Sequence, residues 1–285
     1  MPRFLSLAEA VEECIRDGDS VAMEGFTHLI PNAAGHETVR QRRKHLTLIK
    51  MTPDLIYDQL IGMGCVDKLV FSWGGNPGVG SLHRFRDAVE RGWPQPLAIE
   101  EHSHAALANA YEAGAAGLPC AIFRGYLGVD LPKVNPNIKR VTCPFTGEQL
   151  AAVPALRPDV AVVHAQRADR AGNIMFDGIV GVQKEAVLCA RRALVTVEEI
   201  VEDFGERSFN AVILPAWTVT AIAQVPGGAY PSYAQGYYGR DNAFYIGWED
   251  ISRERETFLA WMKANVLEKG PEAFADYVRP HRKAA

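Results

Sequence analysis

Apolar positions in the first half of the chain switch between two rhythms. Leu7, Val11 and Ile15 recur at helical spacing within residues 5–17, whereas the stretch 20–26 that follows is apolar at most positions. The alternation continues and predicts helices over 5–17, 32–44, 54–63, 82–91 and 105–116, with strands over 20–26, 46–51, 68–73, 97–101 and 121–126. Gly18, Gly64 and Gly92 stand where three of these helices stop, as expected of the residue that turns a helix end most easily. Strands and helices joined by short connections are the pattern of βαβ units. Strands that are apolar throughout suit a parallel sheet covered on both faces. The predicted class is therefore α/β: an open, mostly parallel sheet with helices on both faces, in three layers α/β/α.

Residues 127–147 break the rhythm with Pro132, Asn135, Pro136, Asn137, Pro144 and Gly147, and read as a loop. Alternation then resumes with strands over 159–164 and 193–197, a helix over 182–192, a short segment at 174–176 and later strands over 211–215 and 220–225. Residues 226–248 are rich in Gly, Pro and Tyr, and their aromatic side chains predict an ordered loop. A charged amphipathic helix over about 249–267 follows. With no repeat and no linker, residues 1–285 read as a single domain with a C-terminal helical extension from about 249.

Composition narrows the function classes. The 285 residues carry a formal charge of -4, which leaves no electrostatic footprint for nucleic acid. The densest basic cluster, Arg40, Arg42, Arg43 and Lys44, reads as the exposed end of a helix. Five scattered cysteines with no C-x-x-C pair argue against a disulfide framework or a zinc site, so no metal is expected. The first residues lack the apolar core of a signal peptide, and no apolar run approaches the ~18 residues of a membrane span. The expectation is a soluble, cytoplasmic protein without nucleic-acid or membrane partners.

Open α/β sheets bind ligands beyond the carboxyl ends of their strands. That rule gathers Gly25, Phe26 and Thr27, then Gly74, Gly75 and Asn76, then Glu101, His102 and Ser103 around one site. Residues 74–81 form a glycine-rich turn that either holds an anion on its amides or is a tight turn needing positive φ. They match neither a dinucleotide fingerprint nor a P-loop. Residues 100–104 (Glu-Glu-His-Ser-His) offer a nucleophile or proton shuttle, or else a helix start capped by Ser103. Glu24 lies inside an apolar strand, where a carboxylate is costly unless partnered, and His28 is the nearest companion in sequence. His164 begins a run that ends in an Ala-Gly-Asn turn, and Glu198 and Glu199 read as a solvated helix start. No G-x-S-x-G elbow occurs.

Asp17-Gly18-Asp19-Ser20-Val21-Ala22-Met23-Glu24-Gly25-Phe26 resembles the first signature of class I coenzyme A transferases, in which Asp-Gly leads through three apolar residues into Gly-Gly-Phe. Glu24 stands in place of the first of those glycines, and Ile30-Pro31 alone represents the later Gly-x-Pro. The stretch Phe71 to Val79, Glu101-His102-Ser103, Cys143 to Glu148 and Val162 to Gln166 resemble the A-type (alpha) chains of the 3-oxoadipate and glutaconate branches. Val195 to Ile200, Pro226 to Ser232 and Gly236 to Asn242 continue the match in order over about residues 5–260. The 3-oxoadipate branch looks closest through residues 25–31 and 51–55.

The resemblance implies transfer of coenzyme A from a donor such as succinyl-CoA to 3-oxoadipate or a similar 3-oxo or dicarboxylic acid, in the catabolism of aromatic compounds. In that family a glutamate attacks the acyl-CoA and carries the acyl group, then coenzyme A itself, as covalent intermediates. That glutamate lies in a Ser-Glu-Asn-Gly motif of the B-type (beta) chain. No such motif exists in this sequence, so the resemblance implies no catalytic residue here, a beta-subunit partner in an α2β2 assembly, and no permanently bound cofactor. Gly25, Phe26, Thr27, Gly74, Gly75, Asn76, Glu101 and Ser103 are then the implied substrate-binding positions. Two other readings stand beside it. One is a subunit of a CoA-thioester ring-opening hydrolase that uses Glu101. The other is a sugar-phosphate-binding regulatory domain of similar fold.

Overall fold

In the computed structural model, which describes residues 1–77 and 79–281, the predicted rhythm becomes a ten-stranded sheet flanked by helices. Gly78, in the glycine-rich turn, lies outside the described residues. The strands of the first half are β1 (Arg3–Phe4), β2 (Ser20–Glu24), β3 (Leu46–Lys50), β4 (Val66–Phe71) and β5 (Ala98–Glu101). Between them run α1 (Leu7–Cys14), α2 (Asn32–Arg40), α3 (Leu55–Gly62) and α4 (His83–Arg91), and α5 (His104–Ala115) follows. A separate three-stranded antiparallel sheet comprises β6 (Cys120–Phe123), β7 (Lys139–Thr142) and β8 (Gln149–Pro154), with the short α6 (Leu131–Val134) in its connection. The second half contributes β9 (Val160–Asp169), β10 (Ile174–Phe176), α7 (Gln183–Cys189), β11 (Arg192–Val201), β12 (Val212–Leu214) and β13 (Ala221–Gln224). Helices α8 (Asn242–Arg253), α9 (Arg255–Met262) and α10 (Ala273–Tyr277) complete the described chain.

The main path of the sheet is β1-β13-β11-β9-β2-β3-β4-β5, and every pair along it is parallel. From β2 the first half grows outward to β5, and from β9 the second half grows the other way to β13. The order thus reverses between β2 and β9, the point where open α/β sheets leave a crevice. Both faces are covered: on β2, Val21 and Met23 enter one apolar core and Ala22 the other.

Four departures from the predicted elements have physical causes. Two strands, β7 and β8, fall in or beside the expected loop; β7 reads exposed at three of its four positions and so lacks a continuous apolar run. Strands β9 and β11 outlast their apolar runs, because paired backbone continues through Arg167, Asp169 and Glu199 to Val201. Glu198 and Glu199 are therefore strand residues rather than a helix start, and His164 lies within β9 rather than at its end. The final amphipathic stretch starts earlier, at Asn242, where Asp241 caps α8 by accepting from the Phe244 amide at 2.9 Å.

The basic cluster is only in part a solvated end: Arg42 is exposed, whereas Arg40 and Lys44 are half-buried. Arg40 donates to the carbonyls of Val266 (3.2 Å) and Lys269 (2.9 Å), and Lys44 to that of Gly64 (2.9 Å). These bonds tie α2 to the C-terminal segment and to the end of α3. No helix among the described residues is long and apolar enough to cross a membrane.

Candidate active site

The first-half strands end level with one another. Ala22 pairs with Ile49, Ile49 with Val70 and Val70 with Glu100, so two residues further on Glu24, Met51, Ser72 and His102 stand in one row. Hydrogen bonds confirm the row: the Met51 amide donates to Glu24 Oε1 (3.2 Å), the Ser72 amide to the Met51 carbonyl (3.2 Å) and the His102 amide to the Phe71 carbonyl (2.8 Å). The three predicted groups therefore line one rim. β2 and β5 are three strand spacings apart, about 14 Å. At that separation Gly25 to Thr27 and Glu101 to Ser103 cannot grip a single carboxylate together.

At the switch point β2 runs into the most strained loop of the rim. Thr27 and Leu29 adopt φ of 56° and 54°, a left-handed conformation that costs a non-glycine residue roughly 1–2 kcal/mol. Gly25 is obligatory here, since a Cβ would lie 2.7 Å from the Leu29 carbonyl oxygen. The strain is held by the Tyr-rich segment: Ser232 Oγ donates to the Thr27 carbonyl (2.9 Å) and the Leu29 amide to the Tyr233 carbonyl (3.0 Å). His28 is clamped at both ring nitrogens, by the Ile179 carbonyl and the Gln235 amide, each at 2.9 Å. With the Gln235 amide as donor, Nε2 must accept, so Nδ1 carries the hydrogen. Burial lowers the His28 pKa and favours this neutral form. His28 is thus a strut for the loop and not the companion of Glu24. Phe26 and Ile179 remain exposed beside it.

At the described glycines the turn is built by packing rather than by positive φ, which neither Gly74, Gly75 nor Gly80 adopts. A Cβ on Gly75 would lie 2.5 Å from the Trp73 ring, so the glycine lets the half-exposed indole fold over the turn. The amides of Gly75 and Asn76 are already bonded to the carbonyls of Pro53 (3.2 Å) and Gly80 (3.1 Å). Those two donors are engaged inside the chain. Asn76 is buried and anchors the turn to α8 by donating to the Tyr245 carbonyl at 2.6 Å.

At the β5 corner two adjacent carboxylates have different surroundings, Glu100 half-buried and Glu101 exposed. Glu100 is bound by Lys68 (2.6 Å), Asn137 (2.8 Å) and His102 (2.9 Å). The His102 bond first, then those of Lys68 and Asn137, hold its carboxyl down at about 2. Glu101 is exposed. Both line a cavity of ≈ 430 Å³ with Ile99, Leu131 and Val134. Ser103 caps α5, its Oγ accepting from the Ala106 amide at 3.1 Å, while its own amide donates to the Tyr126 hydroxyl at 2.8 Å.

Beneath the rim lie two buried polar clusters that the chain order conceals. Glu24 accepts from Tyr111 Oη at 2.8 Å. Burial pushes its pKa up to about 7, against the pull of the Lys50 charge. Lys50 is wholly buried, 3.6 Å from Asp54 Oδ2, and its Nζ makes no hydrogen bond among the described residues. On the other side of the switch point, Glu198 Oε1 is bonded to His164 Nε2 (2.8 Å) and Tyr238 Oη (2.7 Å), and its Oε2 to the Gly227 amide (2.8 Å). Thr196 Oγ1 completes this set, 2.8 Å from His164 Nδ1. Lys50 carried the same sequence signal as Glu24, a charge within an apolar strand. Tyr111 and Tyr238 carried none.

Comparison with known proteins shows the family and the fold. The family model described as coenzyme A transferase matches residues 4–224. The chain is 62% identical over 277 residues to the A subunit of 3-oxoadipate CoA-transferase from Pseudomonas knackmussii, covering 97% of each chain. Its fold superposes on the crystal structure of glutaconate coenzyme A-transferase from Acidaminococcus fermentans with a TM-score of 0.90, at 27% identity over 99% of this chain and 96% of that one. A variant of the decarboxylase AibA/AibB is similar too, with a TM-score of 0.78 and 30% identity, covering 92% of this chain and 98% of that one.

Proposed function

The chain belongs to the coenzyme A transferase family, and from that premise we propose that it is the A-type half of a two-chain enzyme that moves coenzyme A from succinyl-CoA to 3-oxoadipate. The observation that carries the choice of substrate is the 62% identity, end to end, with the A-type half of a 3-oxoadipate CoA-transferase.

The rim's chemistry supports a division of labour. Beside the switch point Phe26 and Ile179 are exposed and Thr27 is half-buried, Glu24 just below is 3% exposed, and the sequence carries no Ser-Glu-Asn-Gly motif. The attacking carboxylate then comes from the partner subunit. It attacks the thioester carbonyl and expels coenzyme A thiolate, leaving a mixed anhydride. The thiolate attacks that anhydride at the glutamyl carbonyl and releases the donor acid. The acceptor carboxylate next displaces the thiolate from the glutamyl thioester, and the thiolate takes the acceptor's acyl group from the new anhydride. In this scheme Gly25, Phe26, Thr27 and the turn Gly74 to Asn76 shape the acceptor side, and Glu101 and Ser103 border the outer end. Holding the nucleotide end of coenzyme A far from the carbonyl lets that binding energy act on the transition state.

The test is a transfer assay with succinyl-CoA and 3-oxoadipate, comparing this chain alone with the chain co-expressed beside a B-type partner. 3-Oxoadipyl-CoA is expected only from the co-purified complex, and its formation by the isolated chain would refute the division of labour. Hydrolysis of succinyl-CoA without transfer would instead refute the transferase reading and make Glu101 the first residue to test.

A further inference from the structure

Outside the rim, a cavity of ≈ 210 Å³ lies between α2 and α3 and the C-terminal helices. Its walls are aromatic: Tyr230, Phe244, Trp261 and Tyr277 line it. Neighbouring rings sit 5.4 to 5.8 Å apart, Tyr230 against Tyr277 and Phe244, and Phe244 against Trp261. Of the polar side chains in this wall, His36 (7% exposed) and Gln59 (2% exposed) are buried, whereas Asn265 is half-buried and its amide already donates to the Trp261 carbonyl at 3.0 Å.

These two groups are joined to each other by only one bond, His36 Nε2 to Gln59 Oε1 at 2.8 Å. The amide oxygen can only accept, so Nε2 carries the ring hydrogen and Nδ1 presents a bare lone pair. Neither His36 Nδ1 nor Gln59 Nε2 has a hydrogen-bond partner among the described residues. Burial pushes the His36 pKa down to about 3, so the ring is a neutral acceptor in any ordinary buffer. The cavity therefore shows one acceptor and one donor side by side in a mainly aromatic enclosure, whose lining also includes Asn265 and Tyr277, the latter with a hydroxyl that has no hydrogen-bond partner among the described residues.

We propose that this cavity binds a small neutral phenol, its ring against the aromatic walls and its hydroxyl donating to His36 Nδ1 while accepting from Gln59 Nε2. The volume suits it, since an apolar cavity of about 150 Å³ already holds benzene. A hydroxyl matches both polar groups at once. A hydrocarbon leaves both unpaired, and buried polar groups left unpaired penalise such a ligand. An aromatic carboxylate brings no proton for Nδ1 and finds no charge on the neutral ring. None of this depends on which acyl group the rim handles.

The experiment uses the full chain co-purified with its B-type partner, titrated with phenol, toluene and benzoate by calorimetry and saturation-transfer NMR. Phenol should bind saturably, one per A-type chain and roughly tenfold more tightly than toluene, with benzoate not binding. His36→Phe, which keeps an aromatic wall and removes the acceptor, should reduce phenol to the level of toluene. Asn265→Phe, at a half-buried lining position, fills the cavity and should abolish binding of both even if the His36 variant folds poorly. No saturable phenol binding, equal affinity for phenol and toluene, or binding that survives Asn265→Phe would overturn the assignment.

Discussion

Glu198 and Glu24 sit on the two strands that flank β9, and they are buried in opposite ways. Around Glu198 each carboxylate oxygen has a partner, and His164, Thr196 and Tyr238 leave no side-chain atom unbonded. Around Glu24 the pairing is incomplete: Lys50 Nζ and Asp54 Oδ1 have no hydrogen bond among the described residues, and burial outweighs the Lys50 charge enough to raise the carboxyl to about 7. A saturated network behaves as structure, joining β9 and β11 to the segment that holds the strained loop. An unsaturated one responds to pH, and it lies directly under the rim where the loop begins. The difference teaches that depth of burial alone does not define a buried charge's role; the completeness of its partners does.

The comparison can be broken most directly on the saturated side. Glu198→Ala leaves His164, Tyr238 and the Gly227 amide unpaired in the core, and should cost about 4 kcal/mol of stability in urea denaturation. A loss below about 1 kcal/mol would mean the network is not structural.

The unsaturated side is sharpened by Glu24→Gln. The folded pKa of Glu24, about 7, exceeds its ordinary 4.5. Its contribution to stability is therefore fully present below about pH 4.5 and lost as pH rises through about 7. Glu24→Gln removes that dependence, so the variant should gain on the parent by roughly 2.5 kcal/mol between pH 5 and pH 8. Asp58, raised by burial to about 6, gives a slope of the same sign in both proteins and cancels from the difference. Parallel pH–stability curves would show that Glu24 titrates normally.

The smallest effect belongs to the rim's outer corner. Ser103→Ala removes the cap of α5 and should cost about 1 kcal/mol. If Ser103 also meets the acceptor acid, KM rises or kcat falls in the assembled enzyme. Unchanged kinetics with the stability loss would make it a cap alone.

Much of this was legible in the chain. Gly25, Phe26 and Thr27 were found because a strand's end is written locally, as an apolar run closed by glycine. The same local logic placed Gly74 to Asn76 and Glu101 to Ser103 at neighbouring ends, and the register aligns them. Local logic failed where polar residues continue a strand, as in β9 and β11, because pairing with a neighbour rather than side-chain character sustains them. It failed again for the glycine-rich turn, where Gly75 answers to the Trp73 ring above it and not to its own φ.

By itself the sequence determined the α/β class, the parallel sheet, the rim and the family, since periodicity and ordered motifs are properties of neighbouring residues. Only the tertiary structure decided which buried groups are satisfied. Tyr111 reaches Glu24 across 87 positions and Tyr238 reaches Glu198 across 40. The order reversal between β2 and β9 also emerged only in the fold. A hydrogen bond depends on distance in space, and the chain sets that distance only after its layers have packed.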